Sequence, residues 1–283
     1  MIKPNPTIFK FYLTMLESFS EYLSQKYPET SLDNPDHFKT IIIQKIVQMF
    51  HTLNTLTKVS KDEVSARCVL RGILDSVTTY CFIYQRKNIN DMMFRHNLYA
   101  IDGFTTYKTA IVDGILEEGI NKPLFENSCN EVITKLKQQL SSHPYMNLRN
   151  RNIEIIIQNN NWKYESIVNP KSLSFQRMYK QIFQDVKLVN YYQKILSQYT
   201  HGLYLSNTPY IGKEQLQRVV FESIPLADRM IQGICNTFPQ KEMLEYYRHT
   251  DSYNEMIRSH GFEYEELLKF AKSVIRKEKT LYF

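Results

Sequence analysis

Apolar residues along most of this 283-residue chain recur every three or four positions, the period of an α-helix that buries one face. Ile8, Tyr12, Met15, Leu16, Phe19, Tyr22 and Leu23 predict a first helix over about 6–26, with Asn5 as its cap and Pro6 at the first helical position. The same punctuation, Asn34-Pro35, precedes a second periodic stretch through Phe38, Ile42, Ile46, Met49, Phe50 and Leu53. Ser60-x-x-Glu63 reads as a capping box opening a third helix that runs to about Arg86. A fourth extends from near Asn90 towards Gly119, with Phe94, Leu98, Ile101, Phe104, Ile111 and Ile115 on its apolar face.

Beyond this point the pattern changes. A shorter, more polar helix is expected over 125–141. The segment 142–175 is irregular, with His143-Pro144, the polar run Gln158, Asn159, Asn160 and Asn161, and Pro170. Ile153–Ile157 is too short for its period to separate strand from helix. Periodicity returns over 175–200, read as one helix that stops at Thr200-His201-Gly202 with glycine in the stop position. Another helix spans 213–237 with Pro225 inside it, and two or three short helices follow over 240–279. The expected architecture is therefore all-α: a single domain over 1–283, built as a bundle of six or seven long helices, with an irregular insertion and a small helical tail over 240–283.

Composition narrows the chemistry. Only 8 glycines are present, and the closest approach to a phosphate-binding loop, Gly114-x4-Gly119, is followed by Ile120 where a P-loop requires lysine. No dinucleotide-binding fingerprint can be written, and no cofactor is implied. No apolar run reaches the ~18 residues that cross a bilayer. Lys3, Pro4, Pro6 and Lys10 occupy the place of a signal peptide's apolar core, so a cytoplasmic protein without membrane association is expected. The four cysteines form no CxxC and read as buried free thiols. The seven histidines include no HxH, HxxxH or HExxH, so no metal site is expected. Net charge is +6, with Lys269, Lys272, Arg276, Lys277 and Lys279 gathered near the carboxy terminus against Glu278. That basic face suits either a nucleic-acid backbone or acidic partner, or plain solvation of a docked helix.

Two segments carry candidate chemistry. In Ala66-Arg67-Cys68-Val69-Leu70-Arg71-Gly72-Ile73-Leu74-Asp75, the residues Arg67, Arg71 and Asp75 fall at successive i,i+4 positions and draw one polar stripe on an apolar helix. Arg71 would be held by Asp75, and Gly72 beside it would let another backbone approach closely. The stripe is read either as an anion site or as an architectural ion pair. In Tyr191-Tyr192-Gln193-Lys194-Ile195-Leu196-Ser197-Gln198-Tyr199-Thr200-His201, Ser197 and His201 share a helix face. His201 lies at a carboxy-terminal turn, where the helix dipole favours the protonated ring. It is read as an anion contact or as a cap on its own helix.

These residues resemble a pattern. A long amphipathic helix, a capped turn and Ala66-x4-Arg71-x3-Asp75, followed far downstream by Leu196-Ser197-x3-His201, are similar to an uncharacterised bacterial all-helical family over about residues 35–205. That family's pattern is an arginine followed four residues on by Glu or Asp, and a Leu-Ser-x3-His helix end. Asp75 stands where Glu is commoner, and the tyrosine is displaced, with Gln193 four positions before Ser197. Some members look like relatives of helical nuclease-like proteins of prokaryotic toxin and phage-defence systems. In those, Arg-x4–6-His sets a cation and a general acid/base against one RNA phosphodiester. This chain lacks that spacing: Arg95-His96 and Arg248-His249 are adjacent, and one residue separates Arg258 from His260.

The resemblance implies a protein of stress or phage defence that binds RNA or another phosphate-bearing ligand and is ribonuclease-like. In that reading Arg71, Asp75 and His201 form the reactive set, with Arg67, Ser197 and Tyr192 as binding residues. The alternative is a non-enzymatic helical module that binds a protein partner or dimerises.

Overall fold

The computed structural model describes residues 6–28, 34–112, 121–183, 185–202 and 213–238. Nine α-helices stand among them: α1 (Pro6–Lys26), α2 (Pro35–Thr55), α3 (Glu63–Tyr84), α4 (Ile89–Val112), α5 (Lys122–Ser141), α6 (Arg151–Gln158), α7 (Phe175–Ile182), α8 (Val186–Thr200) and α9 (Lys213–Thr237). No β-strand occurs among the described residues, and a single antiparallel bridge joins Tyr164 and Ser172. The fold is all-α as expected, with nine helices where six or seven were anticipated. The excess is α6 and α7, of 8 residues each, which form where the periodic signal is shortest or was read as continuous. The expected tail over 240–283, its basic face and the proposed Asn5 cap lie outside the described residues.

Contacts divide the chain into two compact units. The first comprises 1–28, 39–85 and 175–283; the second comprises 29–38 and 86–174.

In the first unit, α9 packs on α1 and α3, and α3 also packs on α7 and α8. Apolar helix faces meet here: Phe9, Leu16 and Phe19 from α1, Ile46 and Phe50 from α2, Leu70, Ile73 and Leu74 from α3, and Met230, Ile231 and Ile234 from α9 are buried. Each such side chain stabilises the fold by about 1.5–3 kcal/mol. Three local expectations are corrected. The cap of α3 is Asp62, which accepts a 3.0 Å hydrogen bond from the Ser65 N–H, and not Ser60; the chain turns through Lys61 at φ +53° just before it. A hydrogen bond from the Ser65 side chain, and then this main-chain bond, hold the Asp62 carboxyl below its ordinary pKa. The stretch 175–200 is two helices, because Asp185 accepts from the N–H groups of Lys187 and Leu188 and starts α8 afresh, although the apolar period runs on past the break. At Gly72 the close neighbour is not backbone: a Cβ there would stand 2.5 Å from the terminal methyl of Met49.

In the second unit α4 and α5 pair closely. The unassigned Ile153–Ile157 is helical: Asn150 caps α6, and Ile153 and Ile156 form its buried face. The polar segment from Asn159 to Ser174 forms no helix and is held by main-chain bonds, such as Leu173 N–H to the Lys163 carbonyl at 2.8 Å, together with side chains. Asn161 Nδ2 donates to the Pro170 carbonyl at 2.8 Å, and Asn152 Nδ2 to the carbonyls of Ile167 and Val168 at 3.1 and 3.0 Å. No helix among the described residues is long and apolar enough to cross a membrane.

Candidate functional site

The polar stripe of α3 is real and longer than the sequence reading drew it. Glu63, Arg67, Arg71 and Asp75 follow one another at one-turn spacing on the face that meets α7, α8 and α9.

Arg67 is 2% exposed. Its Nε donates to Glu63 Oε1 at 2.7 Å and its Nη1 to Glu222 Oε2 at 2.9 Å, while the guanidinium lies 4.9 Å from the Tyr199 ring centroid. Burial works against this charge, but Glu222 and then Glu63 more than reverse the effect, so its pKa is raised. Glu222 in turn accepts from Tyr191 OH and, at 3.0 Å, from Arg218 Nε. Tyr192 is buried, and its hydroxyl donates to the Glu222 main-chain carbonyl. Tyr199 OH donates to Glu63 Oε1 at 3.1 Å. The Tyr191 phenol is pushed up to about 12, first by burial and then by Glu222. Such a network fixes three helices against one another.

Arg71 differs. Its Nε donates to Asp75 Oδ2 at 3.2 Å, its guanidinium carbon lies 5.4 Å from the Tyr179 ring centroid, and Nη1 is buried without a hydrogen-bond partner. The side chain is 20% exposed. Asp75 also accepts from Tyr179 OH, which raises the phenol's pKa after burial itself has done so. Asp75 thus orients Arg71 through one nitrogen while the far edge of the guanidinium stays uncommitted.

Ser197 is half-buried, and its carbonyl accepts from the His201 N–H at 3.2 Å. His201 is exposed at the carboxy-terminal cap of α8, and Gly202 follows at φ +61°, the stop geometry expected. Among the described residues, no hydrogen bond or ion pair joins the His201 ring to Arg71, Asp75 or Ser197. The structure therefore brings together Arg67 with Tyr192, both through Glu222, and Arg71 with Asp75. It does not add Ser197 and His201 to either set.

Sequence reading missed Glu222, Glu63, Tyr179, Tyr191 and Tyr199 as members. Arg218 and Glu222, four apart on a helix read only for its apolar stripe, were the available signal. Glu63 was assigned to a capping box when it is also the i,i+4 partner of Arg67.

The second unit holds its own cluster, which the pairing of Arg95 with His96 in sequence did not reveal. Arg95, 1% exposed, donates through Nε to Asp91 Oδ2 at 3.1 Å and through Nη1 to the carbonyls of Trp162 and Tyr164 at 3.0 and 2.8 Å. It stacks 3.6 Å from the Tyr164 ring centroid, and Tyr164 OH donates to Asp91. Arg86 Nε lies 3.6 Å from Asp91; burial, and then Arg95, bring the Arg86 pKa down to about 10. His143 Nε2 meets the Asn90 carbonyl at 3.0 Å and so carries the proton, while Nδ1 accepts from the Tyr145 N–H at 3.2 Å. Burial lowers the His143 pKa, against smaller opposing effects of the Asn90 carbonyl and Asp91.

No group of three or more His, Cys, Asp or Glu side chains suited to a metal ion occurs among the described residues. Comparison with family models, with curated proteins and with solved structures finds no match to this chain. What the fold and site define is an all-helical protein with a tyrosine-lined ion-pair seam on α3.

Proposed function

We propose that the protein binds a phosphate-bearing ligand, RNA in the first instance, through Arg71. The observation that carries this reading is the Arg71 guanidinium: anchored by Asp75 through Nε, backed by the Tyr179 ring and partly exposed. A guanidinium edge held in place is suited to two-point recognition of a phosphate. Arg67 and Tyr192 are positioning residues in this reading, fixing α3 against α8 and α9. The reading is one of binding: among the described residues the exposed His201 ring makes no hydrogen bond or ion pair with Arg71.

The test is fluorescence anisotropy with a short single-stranded RNA, in parallel with gels of the same RNA after long incubation. Arg71→Gln is expected to weaken binding about tenfold or more, since charge-assisted hydrogen bonds are lost. Arg71→Lys retains the charge without the fork and should lie between. The salt dependence of binding should fall by about one phosphate's worth in Arg71→Gln, and the RNA should remain intact throughout. Equal affinity of wild type and Arg71→Gln would overturn the reading.

A further inference from the structure

Three arginines of the described residues are buried, and their pairing is unequal. Arg67 has Glu63 and Glu222, and Arg95 has Asp91. Arg229, on α9 and 6% exposed, has no carboxylate partner among the described residues. Its Nη2 donates to Gln85 Oε1 at 2.5 Å and its Nη1 to Gln232 Oε1 at 3.3 Å, both neutral amides. Its Nε is buried and makes no hydrogen bond.

The neighbouring acid is occupied elsewhere. Asp228 Oδ1 accepts from Tyr12 OH at 3.1 Å and Oδ2 from Gln232 Nε2 at 2.8 Å. Gln232 therefore stands between the carboxylate and the guanidinium, its oxygen to one and its nitrogen to the other, and a second bond holds it in register: Gln85 Nε2 donates to the Gln232 carbonyl at 3.4 Å.

A charge taken out of water needs a counter-charge or a full set of acceptors. Gln85 is the carboxy-terminal cap of α3, and a helix end contributes about half an elementary charge of the right sign. That leaves part of the charge unbalanced and gives Nε no acceptor.

We propose that Arg229 anchors a small-oxyanion site in the first unit, taking a carboxylate or a phosphate on the Nε edge of its guanidinium, with Gln85 and Gln232 fixing the fork's orientation. The site does not rest on the Arg71 reading. Arg71 is partly exposed and already has its acid, whereas Arg229 is buried and, among the described residues, without one.

The experiment is thermal unfolding of the full chain at constant ionic strength, with chloride exchanged for phosphate in one arm and for acetate in the other. Wild type and Arg71→Gln are expected to gain a saturable rise in Tm of about 2–4 °C in at least one arm, as a ligand bound only to the folded state requires. Arg229→Met should show none. The arm that responds tells phosphate from carboxylate. No rise in wild type in either arm, or the same rise in Arg229→Met, would overturn the proposal. Should Arg229→Met fail to fold, 15N-arginine NMR of wild type decides: the buried Nε–H resonance must move saturably with the anion, and an unmoved resonance refutes the site.

Discussion

In the first unit, Arg67 joins three helices through two carboxylates. In the second, Arg95 joins α4 to the segment after α6 through one carboxylate and two main-chain carbonyls. Both are buried, and both stack on a tyrosine. The partners differ because the neighbours differ. Helices satisfy their own backbone, so an arginine between them must find side-chain acids. A segment without regular structure leaves carbonyls that need donors, and Arg95 supplies them. One arginine sets helix register; the other ties a segment without regular structure to α4.

The comparison can be broken at its strongest point first. Arg95→Ala removes the donors to Trp162 and Tyr164 together with the partner of Asp91, and a loss of about 4 kcal/mol is expected. Trp162 is the sole tryptophan of the chain and donates to Asp102 at 3.1 Å, so its emission should shift to the red in this variant. Unfolding followed by fluorescence and by circular dichroism checks both. An unshifted emission would show that Arg95 does not organise the segment.

Glu222→Ala leaves Arg67 buried with Glu63 alone, and a cost of about 3 kcal/mol is expected, without a change in Trp162 emission. Glu222→Gln keeps acceptors in place and should cost clearly less. Urea titration of the pair measures the difference, and equal costs would mean that charge, not hydrogen bonding, is what Arg67 requires.

Proton uptake separates the clusters by direction. The His143 pKa is lowered in the folded state, so its neutral form contributes stability that is fully present above about pH 6.5 and is lost progressively as pH falls below it. The geometry agrees, because a proton on Nδ1 would face the Tyr145 N–H. Unfolding monitored through Trp162 between pH 7.5 and pH 5 should show this loss, and His143→Asn should flatten it. A slope unchanged in that variant would assign the acid sensitivity to other groups.

Glycines give the smallest effects and oppose one another. Gly202→Ala is expected to cost about 1 kcal/mol, because φ is +61° there. Gly103→Ala is expected to add about 0.5–1 kcal/mol, since the site lies inside α4 and a Cβ there meets nothing within 4 Å. Thermal melts of the two variants should move in opposite directions.

Much of the helical layout was legible in the sequence because helix signals are local. The stripe of Ile8 through Leu23 and the Asn34-Pro35 start lie within a few turns of the residues they organise. So does the Gly202 stop. The failures have local reasons too. Ser60 and Asp62 both precede α3 with capping chemistry, and only the left-handed turn at Lys61 selects Asp62. Asp185 interrupts a period that continues through it, so 175–200 read as one helix.

The site was legible in halves. Arg71 with Asp75, and Glu63 with Arg67, are i,i+4 pairs whose contact follows from helix geometry alone. The partner that buries Arg67 in charge, Glu222, lies 155 positions away, and the carbonyls that Arg95 holds lie 67 and 69 positions away. Nor does spacing say that Arg229 finds amides where Arg67 finds acids. The sequence by itself determined which segments are helical and which faces are apolar, since those follow from interactions within a turn. The tertiary structure alone decided which buried charges are matched, which guanidinium keeps an open edge and which histidine is neutral, because those depend on how whole helices pack.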